Sequence, residues 1–344
     1  MTRHLVFVQT NNPAGNQIMV YDRADDGTLT LAETVDTGGI GGVNEGAPND
    51  PLGSQGSLVY DTHHHVLIGV NAGSNTVSVL GLEDGRLCLR QVLPSGGTFP
   101  VSVTVHGNLL YVLNAHEAGA ITGYRITDGQ FHPIENSTRS LGLTPATGPM
   151  QFANSPAQIG FTPDGQQLVI TTKGNGSLID VFTVGPQGRP SDTFTANPAG
   201  TPLPFGFIFD DYHHLAVTDA GSSTLTTYTV HHDGTITKIA SQPDGQQTMC
   251  WVAHIAGNFY VVNSLSNTIT GYHIDPAGTP TVFIPQITTR TNPIDLVGTR
   301  DQQFLYVQLG AAGGVDGFRV KPDGTLTQIV TITGAGGMQG IAVT

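Results

Sequence analysis

The stretch "NFYVVNSLSNTITGYHIDPAGTP" (residues 258–280) decides the fold, because it is one of seven variants of a single unit. Each variant has an apolar run, a short polar turn, a second strand-like run and a Gly-containing tight turn. The others are "LVFVQTNNPAGNQIMVYDRADDGTL" (5–29), "VLIGVNAGSNTVSVLGLEDGRL" (66–87), "LLYVLNAHEAGAITGYRITDGQF" (109–131), "QLVITTKGNGSLIDVFTVGPQGR" (167–189), "HLAVTDAGSSTLTTYTVHHDGTI" (214–236) and "FLYVQLGAAGGVDGFRVKPDGTL" (304–326). The turns follow Thr10, Asn71, Asn114, Thr172, Asp219, Asn263 and Leu309, spaced by 43 to 61 residues. A period of about 45 residues with several short strands per copy is the mark of a β-propeller.

Working outward, an apolar strand precedes units two to seven: "QGSLVYD" (55–61), "PVSVTVH" (100–106), "PAQIGFT" (156–162), "FGFIFDD" (205–211), "CWVAHIA" (250–256) and "PIDLVGT" (293–299). The first unit lacks one, and "MQGIAVT" (338–344) supplies the same pattern at the other end. The expected fold is therefore an all-β, seven-bladed β-propeller over residues 1–344, one domain, its first blade closed by the C-terminal strand so that no sheet edge stays open. The Asp-Gly pairs at 26–27, 84–85, 233–234 and 323–324 supply the positive φ that tight hairpins need.

Composition agrees. Glycine (45) and proline (21) are abundant and charged residues make up 11%, which leaves little material for amphipathic helices. A net charge of −13 without a basic cluster excludes a nucleic-acid footprint. No apolar run is long enough to span a membrane, and the start has no signal-peptide core, so a cytoplasmic location is expected. Cys88 and Cys250 have no CxxC spacing and imply neither a disulfide framework nor a zinc ribbon. Nothing in the sequence specifies an oligomeric state.

In a propeller the turn between second and third strands emerges on the same face as the inter-blade connections. Two of those connections are enlarged, at residues 40–54 and 137–155. Long loops in a compact fold commonly carry function, so this face is the expected binding face. The inner strands begin there near Gln55, Pro100, Pro156, Phe205, Cys250, Pro293 and Gln339. With Phe99, Met249, Trp251 and Met338 they form a mixed, largely apolar mouth that suits a small organic ligand.

His116 and Glu117 sit in a turn where the sister copies have Gly, Ser or Leu, so the hairpin does not require them. A histidine beside a carboxylate can move protons at neutral pH. The expected catalytic group is therefore His116, with Glu117 or Glu45 orienting it; a solvated polar turn is the plain alternative. Gln55, Gln158, Asn154 and Lys173 are placed to hold a carbonyl or carboxylate, with Phe205, Trp251, Asn71, Asp219, Arg290 and Gln339 completing the binding set. Asn71 and Asp219 also have a structural reading, since their side chains can bond the following turn. Lys173 breaks the repeat and, with Arg139 and Arg290, offers positive charge. The histidine clusters at 63–65, 213–214 and 231–232 fall on the opposite face, where consecutive histidines diverge rather than share an ion. Cys250 and His254, four apart on an inner strand, are a further thiol–base candidate.

The segments "PAQIGFTPDGQQLVITTKGNGSLIDVFTV" (156–184), "NAGSNTVSVLGLEDGRL" (71–87) and "NSLSNTITGYHI" (263–274) resemble the seven-bladed β-propeller lactonase family, which includes 6-phosphogluconolactonases and carboxymuconate-cyclising enzymes. The resemblance covers essentially all seven blades. It implies an enzyme that hydrolyses, forms or isomerises a lactone or related small molecule at the channel mouth, without metal or cofactor. Family members commonly carry an Arg-His pair on the inner strand before "PDG"; this chain has Ala157-Gln158, which points to a substrate other than a phosphorylated sugar lactone. Two rivals stand beside this reading. One is a non-catalytic propeller that binds a metabolite or protein on the same face. The other is a metal-dependent hydrolase using Glu45, Asp50 and Asp219.

Overall fold

A computed structural model describes residues 3–47 and 49–344. Twenty-eight strands make seven antiparallel sheets of four, and blade 3 adds a short fifth strand, Arg139–Ser140. Blade 1 joins Leu5–Gln9, Gln17–Arg23 and Leu29–Asp36 to the C-terminal Ile341–Val343, which pairs with the first of these at Val6–Val343 and Val8–Ile341. Blades 2 to 7 follow in chain order, each running from an inner strand to an outer one. Their inner strands are Leu58–Asp61, Pro100–His106, Gln158–Phe161, Pro204–Phe209, Met249–Ile255 and Pro293–Gly298.

Blade position explains the hydrophobic pattern. Second strands such as Val66–Asn71 and Phe304–Leu309 are buried at every residue, because neighbouring blades cover both of their faces. Outer strands such as Leu29–Asp36 are largely exposed.

Two tyrosine devices fasten the blades. On second strands, the hydroxyls of Tyr111, Tyr260 and Tyr306 donate to the carbonyls of Gly188, Gly324 and Gly27 in the tight turn of the following blade, at 2.5, 2.6 and 2.7 Å. On third strands, Tyr124, Tyr228 and Tyr272 reach back to the outer strand of the preceding blade or the turn beyond it, at Pro94, Ala199 and Gln242. A buried tyrosine needs such an acceptor, and each bond contributes about 1 kcal/mol net. The Tyr306–Gly27 bond and the Arg23–Asp301 ion pair at 2.6 Å span the ring closure between blades 7 and 1.

The two enlarged connections meet each other. The second contains helix α1 (Met150–Asn154), whose Phe152 N–H donates to Glu45 O at 3.1 Å. Gln151 Oε1 accepts from the Glu45 N–H at 2.8 Å, and the Gly148 N–H donates to the Glu45 carboxylate. Among the described residues no helix is long and apolar enough to cross a membrane.

Candidate functional site

The first enlarged connection enters the channel mouth as a plug. Around residues 50–56 its backbone is held from several directions. Gln339 accepts from the Leu52 N–H at 2.6 Å and donates to Ser54 O at 3.0 Å. Trp251 Nε1 donates to the same Ser54 carbonyl at 2.8 Å, and Lys173 Nζ donates to Gly53 O at 2.8 Å. The Gln55 side chain spans to the inner strand of blade 6, donating to Val252 O and accepting from the Val252 N–H, both at 3.0 Å. Gly53 has φ +61°, and a Cβ there would lie 2.7 Å from Lys173 Nζ and 2.8 Å from the Phe152 ring, so the close approach requires glycine.

Several residues expected to hold a ligand are engaged with the chain itself. Gln55 and Gln339 hold the chain's own backbone. Gln158 does likewise, pairing its amide with the N–H and carbonyl of Phe207 at 2.7 and 3.0 Å. Asn71 is fully buried and satisfied within the junction of blades 1 and 2, accepting from Asn16 and Thr37 and donating to Ser78 and Thr76. Asp219 is also buried and accepts from the Thr226 hydroxyl at 2.7 Å; burial pushes its carboxyl up to about 6. Arg290 pairs with buried Asp316 at 2.8 Å and caps the carbonyls of Val315 and Ile332. Gln55 and Gln339 hold the plug, Gln158 and Asn71 join neighbouring blades, and Asp219 and Arg290 bond to side chains and carbonyls of blades 5 and 7.

Beside the plug lies a cavity of about 280 Å3 whose wall includes Asp50, Phe152, Ala153, Lys173, Leu203, Phe205, Cys250 and Trp251. Lys173, Phe205 and Trp251, three of the residues the sequence put forward, share this wall. Phe205 and Trp251 pack edge to face at 4.8 Å, and Lys173 Nζ sits 4.7 Å from the Phe152 ring centroid and 5.4 Å from that of Phe205. Lys173 is 3% exposed and also donates to Ser155 Oγ at 2.9 Å. Desolvation lowers its pKa against the opposing charge of Asp50, while desolvation raises that of Asp50, whose Oδ1 accepts from the Gly53 N–H at 3.0 Å. Burial pushes the Cys250 thiol far up, which keeps it protonated, and His254 stacks on Phe259 at 4.4 Å; the thiol–base pairing does not form. Asp295, 4% exposed and in the left-handed region at φ 54°, is pushed up to about 7 by burial, with the Asp50 charge acting in the same direction.

On the other side of helix α1, His116 stacks on Phe99 at 4.0 Å and 9°, and its Nε2 lies 2.8 Å from Asn44 Oδ1. Glu117 turns away to accept from the Thr98 hydroxyl at 3.0 Å, so the adjacent residues form no catalytic dyad. Burial holds the His116 imidazole below its ordinary 6.5, partly offset by Glu117 and Glu45. The pocket bordered by His116, Glu117, Gln151 and Asn154 holds about 10 Å3, room for one water. Glu45 is occupied with the chain leading into helix α1. The described residues contain no group of three His, Cys, Asp or Glu side chains placed to share an ion, which removes Glu45, Asp50 and Asp219 as a ligand set.

The sequence offers Asp50 as a base or cation ligand in the first insertion, but its place on the cavity wall was not legible because the insertion has no sister copies for comparison. Phe152 and Ala153 escaped for the same reason.

With this geometry in hand, residues 120–253 match the family profile described as "Lactonase, 7-bladed beta-propeller". The match is to the seven-bladed lactonase family. Similar solved structures cover the whole propeller. A putative 6-phosphogluconolactonase from Bacteroides fragilis NCTC 9343 superposes with a TM-score of 0.74 at 18% identity, over 99% of this chain and 98% of that one. The Pseudomonas aeruginosa periplasmic gluconolactonase gives 0.75 at 17% identity over 99% of each. A Lactobacillus plantarum protein gives 0.76 at 17% identity over 100% of each. At these identities the likeness is one of fold. A search of curated proteins found no match.

Proposed function

We propose that this chain is a lactonase-like enzyme whose substrate is a small neutral ester ring, opened by water in the cavity between the plug and helix α1. The observation that carries the reading is that buried Lys173 and Asp50 share the wall of a largely apolar cavity of about 280 Å3 at the channel mouth. In this reading Asp50, as carboxylate, takes a proton from water. The water oxygen adds to the ring carbonyl, and Lys173, with two N–H groups held by Gly53 and Ser155, turns its remaining N–H toward the developing oxyanion. Collapse breaks the ring C–O bond, and the proton held by Asp50 goes to the leaving alkoxide. Phe152, Phe205 and Trp251 supply apolar walls for the ring carbons. The family match and the gluconolactonase folds support the reaction class, and the single engaged cation supports a neutral rather than phosphorylated substrate.

The test is proton release at constant pH from a panel of neutral five- and six-membered lactones, with ring-opened product identified by mass spectrometry. Catalysed opening is expected for at least one member. Binding by thermal shift without turnover of any member would replace this reading with that of a metabolite-binding propeller.

A further inference from the structure

We propose that Lys173 is also a covalent carbonyl-capturing residue, condensing through Nζ with small uncharged aldehydes and ketones that enter its cavity. This goes beyond lactone opening and needs no ester.

Position is the first argument. The residue after each second-strand end is Asn11, Ala72, Ala115, Ala220, Ser264 or Gly310 in the other six blades, so the repeat calls for a small side chain there. Blade 4 alone places an amine at this position, in the left-handed region at φ 49°, with its Nζ buried in a cavity wall. The second argument is the polar company. Both identified acceptors of Nζ, a carbonyl and a hydroxyl, are neutral. Desolvation of a buried ammonium whose hydrogen-bond acceptors are neutral favours loss of its proton, outweighing the aromatic faces and the Asp50 charge, and the depressed Lys173 pKa agrees. The third argument is Asp50, an acid on the same cavity wall that burial keeps protonated further into the neutral range than an exposed carboxyl.

The condensation balances on these groups. Neutral Nζ adds to the carbonyl carbon, and one Nζ proton passes to the carbonyl oxygen, giving a carbinolamine. Asp50 protonates that hydroxyl, which leaves as water as the C=N bond forms. The remaining Nζ proton returns to the Asp50 carboxylate, leaving an imine and regenerating the acid.

The chain has only two other lysines, Lys238 and Lys321, both exposed, and they serve as internal controls. The native protein is incubated at pH 7 with butanal and sodium cyanoborohydride, and alkylation of each lysine is followed by peptide mass spectrometry. Lys173 is expected to be labelled at least about tenfold faster than the exposed pair, the ratio for a one-unit drop in pKa, and the preference is expected to vanish in urea. An Ala153→Trp variant, which fills part of the cavity, should slow labelling at Lys173 alone. Equal rates at all three lysines in the native protein, label confined to Lys238 and Lys321, or Lys173 labelling unaffected by Ala153→Trp would each overturn the proposal. No lactone is present, so this outcome and the hydrolysis outcome are read separately.

Discussion

Helix α1 separates two pockets that use similar ingredients differently. On one side His116, Asn44, Glu117 and Gln151 bond to one another or to nearby chain around about 10 Å3. On the other, Lys173 and Asp50 border about 280 Å3 with mostly apolar walls. The first arrangement has titratable groups without room, and its interactions join blade 3 to the first insertion. The second combines titratable groups with room and with desolvation, which is what shifts their proton affinities toward each other. Reactive residue types alone do not distinguish the two sides; the space beside them does.

The most severe way to break this contrast is to remove the cavity pair. Asp50→Asn and Lys173→Met are each expected to lower kcat/KM for a confirmed lactone by about a hundredfold or more, measured by proton release. Full activity in both variants would move the chemistry elsewhere.

A second prediction uses pH. Lactone opening requires ionised Asp50, so activity should rise with pH through a midpoint well above the ordinary carboxylate value of 3.8. Stability runs the opposite way for this group. The native state keeps the Asp50 proton after the unfolded chain has released it, so the stabilisation is complete below about pH 4 and is lost as pH climbs through the raised value. Urea titrations of wild type and Asp50→Asn across that window should diverge accordingly, and parallel curves would contradict the assigned burial.

Loosening the plug tests whether the cavity depends on it. Gln339→Ala leaves the buried Leu52 N–H without its acceptor and removes one of the two donors to the Ser54 carbonyl, and is expected to cost about 1–3 kcal/mol in urea unfolding. Turnover should fall with it, because Asp50 is carried on the same segment.

The smallest effect is expected on the crowded side. His116→Ala removes one stacking contact and one hydrogen bond, for a stability loss of about 1–2 kcal/mol, with kcat/KM changed less than about fivefold. A hundredfold loss with intact stability would reverse the comparison and restore His116 as the proton carrier.

The blades were legible because repetition filters noise: seven weak hairpin signals at one period outweigh any single ambiguous strand. Lys173 stood out for the same reason, as a departure from a position that six sister turns keep small. The backbone contacts of the glutamines were not legible, because an amide at a channel mouth looks identical whether it faces a ligand or a backbone, and the backbone that Gln339 holds belongs to an insertion with no periodic signal. Asn71 and Asp219 stand at the recurring end of the second strand, where Asn71 is satisfied by its neighbours and Asp219 accepts from Thr226, while Arg290 pairs with Asp316. His116 departs from its sister turns as clearly as Lys173 does, yet its departure fastens an insertion; departure marks a special position without saying whether it holds or reacts.

The plug's attachment to Gln339 orders events in time. Leu52 and its anchor Gln339 are 287 residues apart, so this one tie on the segment carrying Asp50 forms only when the strand that closes blade 1 is in place. The seam that closes the ring and the wall that carries Asp50 thus share a fastening, and damage to the blade 1 seam is expected to reach the cavity.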